Sequence, residues 1–117
     1  MDWASALLQD IDAGLLKPRT HAVTLRLAEH ETCTGELGSE IVSAFQAGNA
    51  VGNQALLERL WGKIESLPLE KQGCFRTLVS LLRVDEPIDG HLAEYLIGWA
   101  EEAGVSASAI ETAFRSV

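Results

Sequence analysis

Apolar residues recur along this chain at helical spacing. Trp3, Leu7, Ile11 and Leu15 fall four apart with Leu8 beside them, while Gln9, Asp10 and Asp12 face away. That period predicts an amphipathic helix over residues 3–16. Asp2 is placed to cap it and Lys17-Pro18 to stop it, since proline disfavours helical backbone at the residue before it. Residues 20–31 are harder to read. Val23-Thr24-Leu25-Arg26-Leu27 alternates as a strand would, but no second segment offers itself as a pairing strand. Ala22, Leu25, Ala28 and Glu29 also suit a helix, and helix is the expectation.

Thr32 to Thr34 with Gly35 and Gly38 reads as a loop, and Leu37, Ile41 and Phe45 form the next stripe from about Glu36. Gly48-Asn49 and Gly52-Asn53 punctuate a connection, after which Asn53 can cap a helix with face Leu57, Leu60, Trp61 and Ile64. Ser66-Leu67-Pro68 breaks that helix and restarts another, whose Phe75, Leu78, Val79 and Leu82 lie at i, i+3, i+4 and i+7. Val84 to Gly90 is rich in turn formers. Leu92, Tyr95, Leu96, Trp99 and Ala103 define a sixth helix ending at Gly104. The last runs from about Ala107, capped by Ser106 or by Ser108, the latter heading a capping box with Glu111. The expectation is one all-α domain over residues 1–117, a compact bundle of about six or seven short helices with antiparallel neighbours.

Composition narrows the function classes. An apolar fraction of 47% argues against a disordered acidic tail. Nine Lys and Arg stand against seventeen Asp and Glu, a net charge of −8 spread along the chain with no basic cluster. A nucleic-acid binder normally offers such a cluster, so the balance points to a protein partner with a basic or apolar surface. Cys33 and Cys74 form no CxxC pair and read as thiols of a reducing compartment. The N-terminus shows no secretory pattern, and no apolar run approaches the ~20 residues of a membrane helix. A soluble, cytoplasmic protein without membrane contact is expected.

Catalytic chemistry finds no support in the residues. His30 and Cys33 sit three apart, but no second pair of Cys or His completes a zinc set. His21 reads as a residue of a polar face, His91 as one in the first turn of the sixth helix with Glu94 one turn away, and there is no nucleophile elbow. Gly35-Glu-Leu-Gly38 and Gly48 to Gly52 lack the lysine and strand context of a phosphate loop. No catalytic residue, metal or cofactor is expected. Trp3, Trp61 and Trp99 fall on apolar stripes and read as core, with Trp3, near the terminus, the one most available to a partner. Leu8, Leu16, Leu56, Leu81 and Ile97 widen the stripes, which implies burial on two sides or contact with another chain, a second copy included.

The string Ala100-Glu-Glu-Ala-Gly104-Val105-Ser106 followed by Ile110 carries a resemblance. Residues 91–117 resemble the helix-turn-helix of bacterial repressors, the lac repressor family in particular. Small Ala100 lets two helices cross closely, Gly104 turns the chain, Val105 fills the angle, Ser106 caps the second helix and Ile110 faces the core. The resemblance implies that the last helix enters the major groove with Ser106, Ser108, Glu111, Thr112 and Arg115 outward, and that residues 75–82 supply a third helix. The charge of the segment opposes it, since Glu94, Glu101, Glu102 and Glu111 face one cation, Arg115. A small non-enzymatic protein-binding module, of inhibitor, adaptor or chaperone type, is therefore the first expectation. Trp3, Glu101 and Glu102 are its candidate contacts, and a DNA-binding regulator is the alternative.

Overall fold

The computed structural model describes residues 2–30, 36–48 and 52–116. Among them the chain forms seven helices: α1 (Trp3–Asp12), α2 (Thr20–Glu29), α3 (Glu36–Gln46), α4 (Gln54–Glu65), α5 (Leu69–Arg83), α6 (Gly90–Glu102) and α7 (Ala107–Arg115). The all-α bundle expected from the spacing is what forms. Side-chain caps hold several of these helices at their starts. Asp2 accepts from the Ser5 amide at 2.7 Å, Asn53 from Leu56 at 3.1 Å and Asp89 from Leu92 at 2.9 Å.

One helix end differs from expectation, and at another the structure chooses between two caps. α1 stops at Asp12, because Gly14 takes φ +78° and closes a Schellman motif, with the Leu15 amide donating to the Asp10 carbonyl at 2.9 Å. Glycine thus ends the helix before Pro18 can, and Leu15, which the period had placed in the apolar stripe, is 75% exposed. At the other end of the chain Ser106 caps α7 and Ser108 lies inside it, so the Ser108–Glu111 box does not form the helix start.

The buried side chains sort into two clusters. The first gathers Leu7 and Ile11 of α1, Val23 and Leu27 of α2, Leu96 and Ala100 of α6, and Ile110 and Phe114 of α7. The second gathers Ile41 and Phe45 of α3, Leu57, Leu60 and Ile64 of α4, and Phe75, Leu78, Val79 and Leu82 of α5. α2 belongs to both, since Leu25 and Ala28 pack on the second cluster while Val23 and Leu27 lie in the first. Trp99 of α6, half-buried, also touches both. The described residues extend 43 × 27 × 19 Å, as two adjoining clusters require.

α2 therefore has no single apolar stripe. Thr20 and Thr24 are buried with it, which gives the strand-like alternation its physical cause: two faces, not two sides of a sheet. The helix is anchored at its start by the α5–α6 connection. The Thr20 amide and hydroxyl both donate to the Glu86 carbonyl, at 3.0 and 2.8 Å, and the Ile88 amide donates to the Pro18 carbonyl at 3.0 Å. Arg19 adds an ion pair to Asp85 at 3.1 Å, and Arg19 and Pro87 form a β-bridge, the one strand-like pairing among the described residues. The Thr24 hydroxyl, by contrast, has no partner among the described residues.

The two threonines should respond oppositely to valine. Thr20→Val removes a bonded hydroxyl and should lower unfolding free energy by about 1 kcal/mol. Thr24→Val replaces an unpaired buried hydroxyl by a methyl and should raise it by about 1 kcal/mol. Urea denaturation of both variants checks this, and equal signs would contradict the assignment. On the surface, the Lys63 ammonium donates to Glu40 at 2.7 Å and holds its carboxyl below the usual range. A depressed carboxylate stabilises the fold above its unfolded pKa and loses that contribution as pH falls through the lowered value. Lys63→Met should move the Glu40 titration upward by carboxyl NMR; an unchanged midpoint would show that the pair does not form in solution.

Candidate partner-binding groove

α5 and α6 are consecutive and joined by a short connection, an arrangement in which helices usually pack on each other. Here they pack chiefly elsewhere: α5 lies on α2, α3 and α4, and α6 lies on α1 and α7. Each helix is thus held mainly by a different cluster, with Leu81 of α5 reaching the first and Trp99 of α6 reaching the second, and the space between the helices is a groove of about 540 Å³. One wall is Gly73, Cys74 and Thr77 of α5. The other is Glu94, Tyr95, Gly98, Trp99 and Glu102 of α6, with Ala103 beyond.

The walls combine an apolar floor with an acidic edge. Trp99 bridges the clusters at the bottom and Tyr95, one of the residues that define the sixth helix, is 49% exposed at the side. Glu94, Gly98 and Glu102 are spaced four apart and so share one edge of α6. Neither carboxylate makes a hydrogen bond or ion pair among the described residues. Gly73 and Gly98 stand inside helices, where glycine is unfavourable, yet a Cβ at either would meet no atom within 4 Å. Packing within the chain therefore does not explain them. Leu69, one turn before Gly73 on the same face of α5, is 86% exposed and extends the apolar surface outward.

The residues singled out in the sequence scatter relative to this groove. Glu102 lines it; Glu101 is exposed without lining it, and Trp3 is half-buried against the first cluster. Cys74 is an exposed free thiol in the groove wall, whereas Cys33 lies outside the described residues, as does the His30–Cys33 spacing considered for zinc. Among the described residues no three His, Cys, Asp or Glu gather as a metal would require. Tyr95, Glu94, Gly73 and Gly98 escaped the sequence reading as a site. Their one legible signal was glycine inside a helix, which Gly38 of α3 and Gly62 of α4 share and which therefore does not single out the groove.

The C-terminal pair has its own geometry. α6 ends in a Schellman motif, with Gly104 at φ +90° and the Val105 and Gly104 amides donating to Ala100 and Glu101 carbonyls at 3.0 and 3.1 Å. Ala100, Val105 and Ile110 are buried, and Ser106 accepts from the Ala109 amide at 3.2 Å. α7 packs on α2, α1 and α6, while the buried face of α5 sits in the other cluster, so α5 is not the third helix of this unit. Ser106, Ser108 and Thr112 are exposed beside a hollow of about 360 Å³ whose far side carries Arg26 and His30. Arg115, the one cation of α7, is held by Asp10 at 3.0 Å and by half-buried Glu111 at 3.2 Å, which raise its pKa further.

If Gly73 and Gly98 serve something other than internal packing, removing them should not harm the fold. Gly73→Ala and Gly98→Ala should each raise unfolding free energy by about 0.5–1 kcal/mol in chemical denaturation, through helix propensity alone. A loss of stability in either would mean that the fold itself needs the glycine.

Comparison with family models, with curated proteins and with solved structures finds no match to this chain, so its functional reading rests on its own residues.

Proposed function

We propose that this chain is a non-enzymatic protein-binding module, of inhibitor, adaptor or chaperone type, which docks a basic partner in the groove between α5 and α6. The observation that carries this reading is the groove itself: two successive helices held apart, an aromatic floor, and unpaired Glu94 and Glu102 on its edge. A net charge of −8 adds long-range attraction toward a basic surface, which steers association and weakens with salt. Such a partner could itself be a nucleic-acid-handling protein whose binding surface the acidic module covers.

The alternative, a DNA-binding regulator using Ser106, Ser108, Glu111, Thr112 and Arg115, has the hollow facing Arg26 and His30 in its favour. Charge weighs against it. Phosphate anchoring draws on several Lys and Arg contacts, and Arg115, the one cation of α7, is already committed to two carboxylates.

Affinity capture from the native host tests the first reading when run with charge reversals. Glu94→Lys with Glu102→Lys should abolish recovery of a partner that the wild type and a distant control, Glu58→Lys, both retain. Identical recovery by all three proteins would remove the groove from the account, and recovery of nothing but nucleic acid would favour the alternative.

A further inference from the structure

We propose that the occupant of the α5–α6 groove is a cationic amphipathic helix of a partner protein, lying along both walls with its apolar stripe over Trp99 and its Lys or Arg side chains against Glu94 and Glu102. This rests on the reading of the groove as the docking face and adds the form and chemistry of what docks.

Shape points to a helix. The groove runs from Gly73 to Thr77 on one side and from Glu94 to Ala103 on the other, so its longer wall measures about 13 Å at 1.5 Å per residue, between two and three helical turns. Both walls are helices, and the occupant becomes the third member of a helical layer, which is the helix-in-groove mode. Close approach of helix backbones needs small residues at the crossing. Gly73 and Gly98 supply one on each wall, with the space beside them empty. An extended peptide finds less: the described residues contain no strand, hence no sheet edge to extend.

Charge sets the sign and the spacing. Glu94 and Glu102 are eight residues apart on one helix, about 12 Å along its axis, with Gly98 midway. Two cations seven or eight residues apart on a partner helix span the same distance on one face. A second copy of this chain would bring a net −8 to an acidic edge, which opposes self-docking.

The test is an NMR titration of the ¹⁵N-labelled full chain with a designed peptide of about 16 residues. The peptide is a Leu/Ala amphipathic helix with Lys at two positions eight apart, two helical turns and a little more. Controls are a scrambled peptide of the same composition, the Lys→Glu peptide and a Lys-containing proline-rich peptide. The expected result is saturable shifts at the Gly73, Cys74 and Gly98 amides and the Trp99 indole with the first peptide alone. Affinity should fall at least tenfold in Glu94→Gln with Glu102→Gln. It should fall at least tenfold in Gly98→Leu as well, with Gly98→Ala and circular dichroism confirming that the fold survives. Shifts centred elsewhere, equal binding of the scrambled peptide, preference for the proline-rich peptide, concentration-dependent self-association through the groove, or no groove shifts at millimolar peptide each overturn the helix as occupant. If the charge-reversal capture succeeds while the peptide fails, the docking face stands and only the helix is lost. If both fail, the reading of the groove goes with it.

Discussion

Everything in this fold hangs on one helix being buried on two sides. α2 sends Val23 and Leu27 into the cluster built with α1, α6 and α7, and sets Leu25 and Ala28 against the cluster built by α3, α4 and α5. Thr20 and Thr24 sit between those faces. Helix packing rewards a wide apolar arc, so a helix serving two cores keeps only a narrow polar edge, where Arg26 and Glu29 reach solvent. The bond pair from Thr20 to the Glu86 carbonyl then fixes where α2 begins relative to the α5–α6 connection.

The groove follows from that arrangement. α5 answers chiefly to one cluster and α6 to the other, and the shared helix, with Leu81 and half-buried Trp99 crossing between the clusters, sets how far apart they stand. The space between them is a standing feature of the packing and not a gap awaiting closure from within, because no side chain of the glycines exists to fill it. A preformed site avoids the entropy of ordering loops when a partner arrives, which favours affinity at small contact area.

How much of this was readable from the residues alone depends on how local the cause was. The caps at Asp2 and Asn53 and the stripes of α4 and α5 are local, and were legible. Gly14 is also a local cause, hidden by the four-residue period that continues through Leu15; the Schellman turn prevails because left-handed glycine ends a helix whatever period continues beyond it. Ser106 and Ser108 offered equivalent caps, and only the position of the turn after Gly104 chose between them. The double burial of α2 and the exposure of Tyr95 are tertiary effects: a period reports that a face is apolar, not whether a neighbour arrives to cover it. The groove was the least legible of all, because it arises from two successive helices packing chiefly on other neighbours. In the C-terminal pair, Ala100, Gly104, Val105 and Ile110 are each accounted for by packing and turn geometry, while Arg115 is drawn to Asp10 across to α1, a contact 105 positions away in sequence.

Native-state hydrogen exchange across α2 shows whether this helix couples the two clusters, since it reports whether they open together or apart. If α2 couples them, the slowest amides of α2, of the α3–α5 cluster and of the α6–α7 pair exchange with one common free energy, that of global unfolding. Exchange of one cluster at markedly lower free energy, with α2 and the other still protected, would contradict the account and leave the groove without its fixed walls.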